Sequence, residues 1–331
     1  MSPPPRPEFE PLSEEELPTK KKGGLLPWLR LMRLPNVFTA IADVAMGYLF
    51  ARQSVDSLPL FGCLILASAS LYLAGMVLND LFDYEIDAKE RPFRPLPSGQ
   101  VSMFWAGLLG INLLSLGLFL GWIAGLLRDA PDAWPWRSGV VASALTGCIL
   151  AYDGYLKKTP IGPLAMGACR FFNILLGMSV GDPSAQGIFL GYGMGEVLAA
   201  AGIGIYIVGV TWFSRSEAGQ SRSAALLGAL AVMFAGVAVL GASLQHVVTR
   251  GSPGTYWMLL ALLMFGVGRR GIVAAQDPIP PKVQAAVKLS ILSLIWLDAT
   301  MAVAVSGPAA GVAIAALLIP ALLLGRWIYS T

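Results

Sequence analysis

The densest run of chemically capable side chains in this sequence is Asn79-Asp80-Leu81-Phe82-Asp83-Tyr84-Glu85-Ile86-Asp87. On a continuous helix Asp80, Asp83 and Asp87 stand at i, i+3 and i+7 and share one face, with Asn79 one turn before Asp83 and Glu85 turned elsewhere. Three like charges on one face repel, so a compensating cation is expected among them. Hard oxygen donors at this density suit Mg²⁺, which keeps waters and joins one or two carboxylates to substrate phosphates. Immediately downstream stands Arg91-Pro92-Phe93-Arg94-Pro95-Leu96-Pro97-Ser98-Gly99. The prolines stiffen this stretch, and Arg91 and Arg94 carry forked donors that match phosphate oxygens. Carboxylates for a metal beside guanidinium groups for an anion are what a diphosphate site requires.

The elements that must position this cluster follow from composition. The chain has 331 residues, 56% hydrophobic and 13% charged, about half the charge of ordinary soluble domains. Too little polar surface remains to cover a globule in water, and lipid is its natural solvent. Apolar runs near the spanning length of about 20 residues fall at 31–52, 58–78, 101–127, 138–155, 161–181, 193–213, 223–245, 255–275, 284–305 and 309–327. The expected fold is all-α, a polytopic membrane helical bundle of nine core transmembrane helices plus a tenth. A short Ser306-Gly307-Pro308 turn joins the last two spans. The acidic cluster begins where the second span ends. A solvated loop obeying the positive-inside bias is the plainer reading of this connection, but it does not account for a run of acids at a membrane boundary.

Of the 23 Lys and Arg residues, 18 fall in the N-terminal segment, the even-numbered connections and the C-terminus, and 4 on the other side, with Arg170 inside a span. That bias makes the first side cytoplasmic. Residues 1–24, rich in Pro and Glu and ending near Lys20-Lys21-Lys22, read as a disordered cytoplasmic tail, and 25–331 as one transmembrane domain. The expected location is a multi-pass integral protein of a bacterial inner membrane, with the aspartate cluster at its cytoplasmic side and membrane lipids as its surroundings. A net charge of only +3 implies no nucleic-acid partner, and nothing calls for an obligate protein partner. Cys63, Cys148 and Cys169 lie in apolar stretches without metal-ligand spacing and read as small buried hydrophobes. The lone His246 cannot build a metal cluster.

The pattern Asn79-Asp80-x-x-Asp83-x-x-x-Asp87, followed by the Arg91–Gly99 stretch, resembles the UbiA superfamily of intramembrane prenyltransferases, and the likeness extends over nearly the whole membrane region. The resemblance implies a nine-helix bundle with cytoplasmic aspartate motifs over a central cavity open to lipid. It also implies Mg²⁺ as cofactor, and a prenyl diphosphate and a lipophilic acceptor as partners. Arg33-Leu34-Pro35-Asn36 is similar to the family's opening motif, which brings in Asn36. Tyr152 with Lys157 is similar to its fourth-helix tyrosine and phosphate-binding lysine. The second aspartate motif of the family falls after the sixth span, where this chain has Thr211-Trp212-Phe213-Ser214-Arg215-Ser216-Glu217-Ala218-Gly219. Only Glu217 is acidic there, a form similar to the UbiA-like proteins of the Ebo type.

The expected roles follow. Asp83, Asp87 and Lys157 are catalytic. Asn79, Asp80, Asp83, Asp87 and Glu217 are metal ligands. Asn36, Asn79, Arg91, Arg94, Tyr152 and Arg215 bind the diphosphate, Arg215 standing as a fixed positive charge in place of a second metal. The expected function is Mg²⁺-dependent prenyl transfer to a lipophilic acceptor. The alternative is a non-catalytic binder or carrier of prenyl or lipid diphosphates, since the second motif is eroded. A secondary transporter is disfavoured by the lack of an internal repeat and by a site at the membrane edge. Asp43, Asp153, Arg170, Asn173, Glu196 and Asp298 lie in or beside spans. Each costs roughly 2.5 kcal/mol or more at bilayer depth and is expected to face the bundle interior, lining a cavity or pairing between helices.

Overall fold

A computed structural model describes residues 24–128, 134–184, 187–215, 223–250 and 252–328. The expected tail falls, apart from Gly24, outside these residues, as does Glu217. No strand occurs among the described residues; the chain is built from helices. The short α1 (Leu25–Leu31) packs Leu31 into a satellite cluster with Val77, Leu96, Val101 and Ala106. A left-handed residue at Arg33 (φ 45°) then turns the chain through a 3₁₀ segment, Leu34–Asn36, into α2 (Val37–Arg52).

The second span, α3 (Leu58–Phe82), is capped by Ser57, whose Oγ accepts from the Leu60 N–H at 3.4 Å, with Pro59 in its first turn where no N–H is needed. It ends at Asp83, and a separate helix α4 (Tyr84–Glu90) starts there. α5 (Met103–Leu126), α6 (Trp136–Gly154), α7 (Gly162–Met178), α8 (Met194–Ser214), α9 (Ser223–Ser243) and α10 (Pro253–Gln276) follow. α11 (Pro280–Ser306) stops at Gly307, whose φ of +97° favours glycine. The tenth expected span is broken into α12 (Pro308–Ala315) and α13 (Leu318–Trp327). Pro320 explains the break: it cannot donate to the carbonyl four residues back, and its ring crowds that turn.

All ten expected spans are therefore helices, but only eight are long and apolar enough to cross a membrane by length and composition among the described residues. The other two are α6, which carries Arg137 and Asp153, and the 17-residue α7. Each turns one face to the interior of the bundle and brings polar groups to it. The apolar windows of α2 and α11 are 72% and 67% buried, against 17% for α5 and for α12–α13, so the latter present most of their apolar surface outward. α2 and α7 touch backbone to backbone. A Cβ on Gly47 would lie 2.5 Å from the Ile174 carbonyl oxygen, and one on Gly177 would strike the Val44 carbonyl oxygen. Small residues at such crossings let helices approach closely in a membrane bundle.

Three of the arginines that run against the charge bias secure the opposite end of the bundle. Arg137, fully buried, donates to the Ser179, Met178 and Gly181 carbonyls at 2.8, 3.3 and 2.5 Å and lies 4.7 Å over the Tyr192 ring. Those carbonyls lie at and just beyond the C-terminus of α7, where a cation is favoured. Arg128 donates to the Gly181 carbonyl at 2.7 Å and pairs with Asp182. Arg52 pairs with Asp56, which the Tyr48 hydroxyl also reaches at 2.7 Å.

Candidate functional site

The acidic run spans a break between two helices. α3 closes at Asp83, which leaves helical geometry (φ −93°, ψ 3°), and α4 begins at the next residue. The continuous helix expected through Asp80, Asp83 and Asp87 is thus corrected. The site still gathers them, because each is met by a cation. Arg33 Nη2 lies 2.9 Å from Asp80 Oδ1. Arg94 Nη1 lies 2.5 Å from Asp87 Oδ2 and 3.6 Å from Asp80 Oδ1. Lys157 Nζ lies 2.8 Å from Asp83 Oδ2 and donates to Asn79 Oδ1 at 3.1 Å. Since one nitrogen reaches both, the Asp80 and Asp87 oxygens are at most about 6 Å apart. Arg94 therefore bridges the two ends of the motif across the break at Asp83.

Three carboxylates and three cations make this cluster neutral. Asp80, Asp87 and Arg94 are nearly inaccessible, while Asp83 and Lys157 keep 20% and 11% of their side chains exposed and form the open part of the site. Glu85 is exposed, as its spacing implied. The Arg91–Gly99 stretch is a chain of turns: Arg94 N–H bonds the Arg91 carbonyl at 3.0 Å, and Ser98 Oγ bonds the Arg94 carbonyl at 2.7 Å. These turns hold Arg94 inward. Arg91 is exposed, and among the described residues no ion pair joins it to the carboxylates, so its expected place beside Arg94 is corrected to the rim.

Lys157 rides on a 3₁₀ turn, Leu156–Lys158, directly after α6. Arg215, the residue following α8, braces that turn: its Nη2 donates to the Lys157 carbonyl at 2.5 Å and to the Thr159 carbonyl at 2.8 Å. Gly162 makes this possible, because a Cβ there would collide with Arg215 Nη2 and stand 2.8 Å from the Leu156 carbonyl oxygen. One nitrogen of the Arg215 guanidinium is thus engaged with the backbone that carries Lys157. Glu217 lies outside the described residues.

Beneath the ionic cluster the bundle opens into a cavity of about 70 Å³ between α2, α3, α6 and α7. Its wall is largely apolar, with Leu71, Met76, Leu145, Ile149 and Met166. Tyr72, Tyr152, Asp153, Arg170 and Asn173 supply its polar groups. Asn36, at the start of α2, is within hydrogen-bond reach of the Tyr72 hydroxyl, which brings the opening motif to the cavity rim. Arg170 is bound to Asp43 Oδ2 at 2.7 Å and Thr39 Oγ1 at 2.9 Å. Asn173 is bound to Asp43 Oδ2 at 3.2 Å, the Ala40 carbonyl at 3.0 Å and Ser68 at 2.7 Å. Tyr206 of α8 donates to the Ser290 carbonyl of α11 at 3.0 Å.

Sequence reasoning missed one member of the site. Arg33 stood in the opening motif but was given no role, although a charged residue before a span with a carboxylate cluster one span later is a pairing signal. Asp153, expected to face the bundle interior, lines the cavity.

Comparisons with known proteins agree with this architecture. The UbiA prenyltransferase family model matches residues 40–292. Digeranylgeranylglyceryl phosphate synthase of Methanothermobacter thermautotrophicus is 30% identical over 180 residues, 54% of this chain and 55% of that protein. The synthase of Methanobrevibacter smithii is 35% identical over 145 residues, 43% and 47% of the two chains. The chain spans about half the length of the curated relatives it matches. Among solved structures, one described as digeranylgeranylglyceryl phosphate synthase in membranes aligns with a TM-score of 0.61 at 20% identity, covering 85% of this chain and 98% of that one. A UbiA homolog from Archaeoglobus fulgidus bound to GPP and Mg²⁺ aligns with a TM-score of 0.53 at 15% identity, covering 83% and 99%. At these identities the structures establish the fold. The protein is an integral membrane protein, and the curated relatives are archaeal, so the bacterial membrane expected from sequence finds no support among them.

Proposed function

Because this chain belongs to the UbiA prenyltransferase family, we propose that it transfers a prenyl group from a prenyl diphosphate to a lipophilic acceptor within the membrane, with Mg²⁺ as cofactor. The observation that carries the reading is the junction of two unlike environments on the same helices. Paired carboxylates and cations form the mouth, and an apolar cavity opens directly below it. A diphosphate needs the first and an isoprenoid chain needs the second. The GPP and Mg²⁺ bound by the Archaeoglobus fulgidus homolog support this pairing of ligands. The 18-to-4 charge bias favours a mouth that faces the cytoplasm.

The donor set fits Mg²⁺ as an ion shared with a ligand. Among the described residues no three His, Cys, Asp or Glu side chains gather closely enough to enclose a metal. Mg²⁺ needs only one or two carboxylates when phosphate oxygens and waters complete its shell. Asp83 and Asp87 would hold it, with Asn79 and Asp80 beside them, and Glu217 is a proposed further ligand on sequence grounds. When bound, the ion would draw charge from the leaving diphosphate.

The chain's own groups account for the remaining steps. Lys157 and Arg94 each hold a carboxylate that a metal would claim, so ligand entry would be an exchange in which Asp83 and Asp87 would hold the metal and Lys157 and Arg94 would be free to bind phosphate oxygens. Arg33 stays on Asp80 and fixes it. Arg215 keeps the Lys157 turn in register. Arg91 at the rim, with Asn36 and Tyr152 at the cavity wall, completes the binding surface. As the allylic C–O bond breaks, charge accumulates on the departing oxygen, and pre-positioned cations stabilise that charge. The apolar wall keeps water from the allylic cation until the acceptor attacks.

The test is transfer of label from prenyl diphosphates of several lengths into extracted lipid, by purified protein in nanodiscs. Mg²⁺-dependent lipid-soluble product is expected, and its loss in Asp83→Ala and Asp87→Ala. Tight diphosphate binding with no product across the panel identifies the non-catalytic binder instead.

A further inference from the structure

We propose that Asp153 accepts the proton of the acceptor's nucleophilic O–H or N–H, and thereby selects acceptors whose reacting group enters the cavity neutral. The proposal rests on the prenyl-transfer reading above and names the acceptor chemistry of the same site.

Asp153 stands in the last turn of α6 and is 3% exposed. It lines the cavity. Four neighbouring carboxylates each have a donor. Asp80 has Arg33, Asp87 has Arg94, Asp83 has Lys157, and Asp43 has Arg170 and Asn173. Among the described residues no hydrogen bond or ion pair reaches Asp153. It senses its neighbours only as charges: Lys157 and Arg33 on one side of the balance, Asp83 and Asp80 on the other. Those are the residues of the diphosphate mouth, so Asp153 lies between that mouth and the apolar chamber, where the reacting carbon of a bound prenyl diphosphate would be.

The carboxylate is left open by construction. Gly75 of α3 faces it: a Cβ at that position would lie 3.9 Å from Asp153 Oδ2 and 3.2 Å from Ile149 Cγ2. No side chain from α3 covers Asp153 at that point. The other charged group of the wall, Arg170, is committed to Asp43 and Thr39. A buried carboxylate without a donor is costly, and such a group persists where a ligand completes it. The missing partner must be a hydrogen-bond donor. An anionic nucleophile would meet uncompensated negative charge at this depth and be disfavoured.

The step balances. The acceptor oxygen or nitrogen attacks the allylic carbon, the carbon–oxygen bond to diphosphate breaks, and its electron pair leaves with the diphosphate. The proton released from the attacking O–H or N–H goes to the Asp153 carboxylate. A positioned base of this kind contributes roughly 100-fold or more to a rate.

The test uses full-length protein in nanodiscs of total polar lipid, with diphosphate release from GPP as the rate, so that any acceptor, water included, is counted. A GPP thiolodiphosphate analogue with Mg²⁺ measures ligand binding separately. Asp153→Asn should bind the analogue like the parent yet release diphosphate about 100-fold more slowly. Sodium azide, a nucleophile with no proton to remove, should restore release in Asp153→Asn with prenyl azide as product. It should not accelerate the parent, whose carboxylate repels it. The proposal is overturned if Asp153→Asn matches the parent rate, or if azide rescues neither or speeds both alike. It is overturned as well if the parent binds the analogue but releases no diphosphate. A parent that fails to bind the analogue at all refutes the prenyl diphosphate reading itself, before any variant is compared.

Discussion

Replacing Lys157 by Met removes one cation from the mouth and keeps the aliphatic stem. In the structure Lys157 Nζ is 2.8 Å from Asp83 Oδ2 and 3.1 Å from Asn79 Oδ1. The gross attraction of such a pair is about 6 kcal/mol at an effective dielectric of about 20. Most of that is offset by desolvation, and a charged hydrogen bond nets about 1.5–3 kcal/mol. Two effects of opposite sign follow. Without a diphosphate, Asp83 is freed and the neutral cluster becomes net negative, so Mg²⁺ alone should bind as tightly or up to about 10-fold more tightly. With the diphosphate, a phosphate donor is lost, so the Mg²⁺–thiolodiphosphate complex should bind roughly 10- to 150-fold more weakly, the fold-change equivalent of that net energy. Calorimetry of Lys157→Met against the parent, with MgCl₂ alone and then with the GPP analogue, reads both. If the variant weakens both ligands alike, or changes neither, Lys157 does not exchange between carboxylate and phosphate, and the account of ligand entry is wrong.

Arg215→Ala should slow transfer by about 3- to 10-fold, the loss of one or two hydrogen bonds that hold the Lys157 turn. Mg²⁺ affinity without diphosphate should stay at the parent value, whereas a drop in it would show Arg215 acting on the carboxylates directly. Gly162→Ala should reproduce the Arg215→Ala rate, because a methyl group there displaces the same guanidinium. Asp298 is fully buried, has no donor on either oxygen among the described residues, and lies within hydrogen-bond reach of Asp43. Asp298→Asn should therefore hold or raise Tm, since an amide N–H can serve Asp43 at any pH. Asp298→Ala should lower stability by about 1–3 kcal/mol through an unsatisfied Asp43 oxygen; equal Tm values for the two variants would contradict that pairing. At the opposite end, bonding to Arg52 and Tyr48 holds the Asp56 carboxyl at about 2. The depressed value stabilises the fold above the ordinary carboxylate range, and this is lost as pH falls toward 2. The Tm difference between the parent and Asp56→Asn should be constant from pH 8 to about 5 and shrink below about 4; a difference that grows on acidification would reverse the sign.

Much of the site was legible because charge is rare in this chain. With 13% charged residues, any cluster of them stands out, and Asn79, Asp80, Asp83, Asp87, Arg94 and Lys157 do converge. What periodicity could not show was the break. An i, i+3, i+7 pattern is compatible with a straight helix, and Phe82-Asp83-Tyr84 contains no Pro or Gly to mark a break. The break is fixed by tertiary contacts, Arg94 reaching back to two carboxylates and Lys157 pulling on Asp83. The bracing contacts of Arg215 were hidden for a similar reason: its side chain binds two carbonyls, and backbone carbonyls are invisible in a residue pattern. The tenth span was read as continuous because apolar content masks Pro320. Asp153 was expected to line a cavity or pair between helices, and only the structure could decide between the two, because sequence shows a charge but not the absence of a partner.

The neutrality of the mouth bears on the eroded second motif. Three carboxylates answered by Arg33, Arg94 and Lys157 leave no surplus negative charge to attract metal in advance of substrate. Two further aspartates after α8 would make the mouth strongly negative, and ions would have to be held there permanently. This chain has instead Ser214 and Arg215 at that place, and Arg215 adds positive charge beside the Lys157 turn. On the exchange reading, metal and diphosphate then arrive together, each supplying what the other displaces from the ion pairs. Under that arrangement the diphosphate, not a second set of carboxylates, supplies most of the negative charge that binds Mg²⁺. The loss of acidic residues from the second motif is then compatible with turnover, because the ligand brings its own oxygens to the ion and the chain contributes the break at Asp83 and the cations around it.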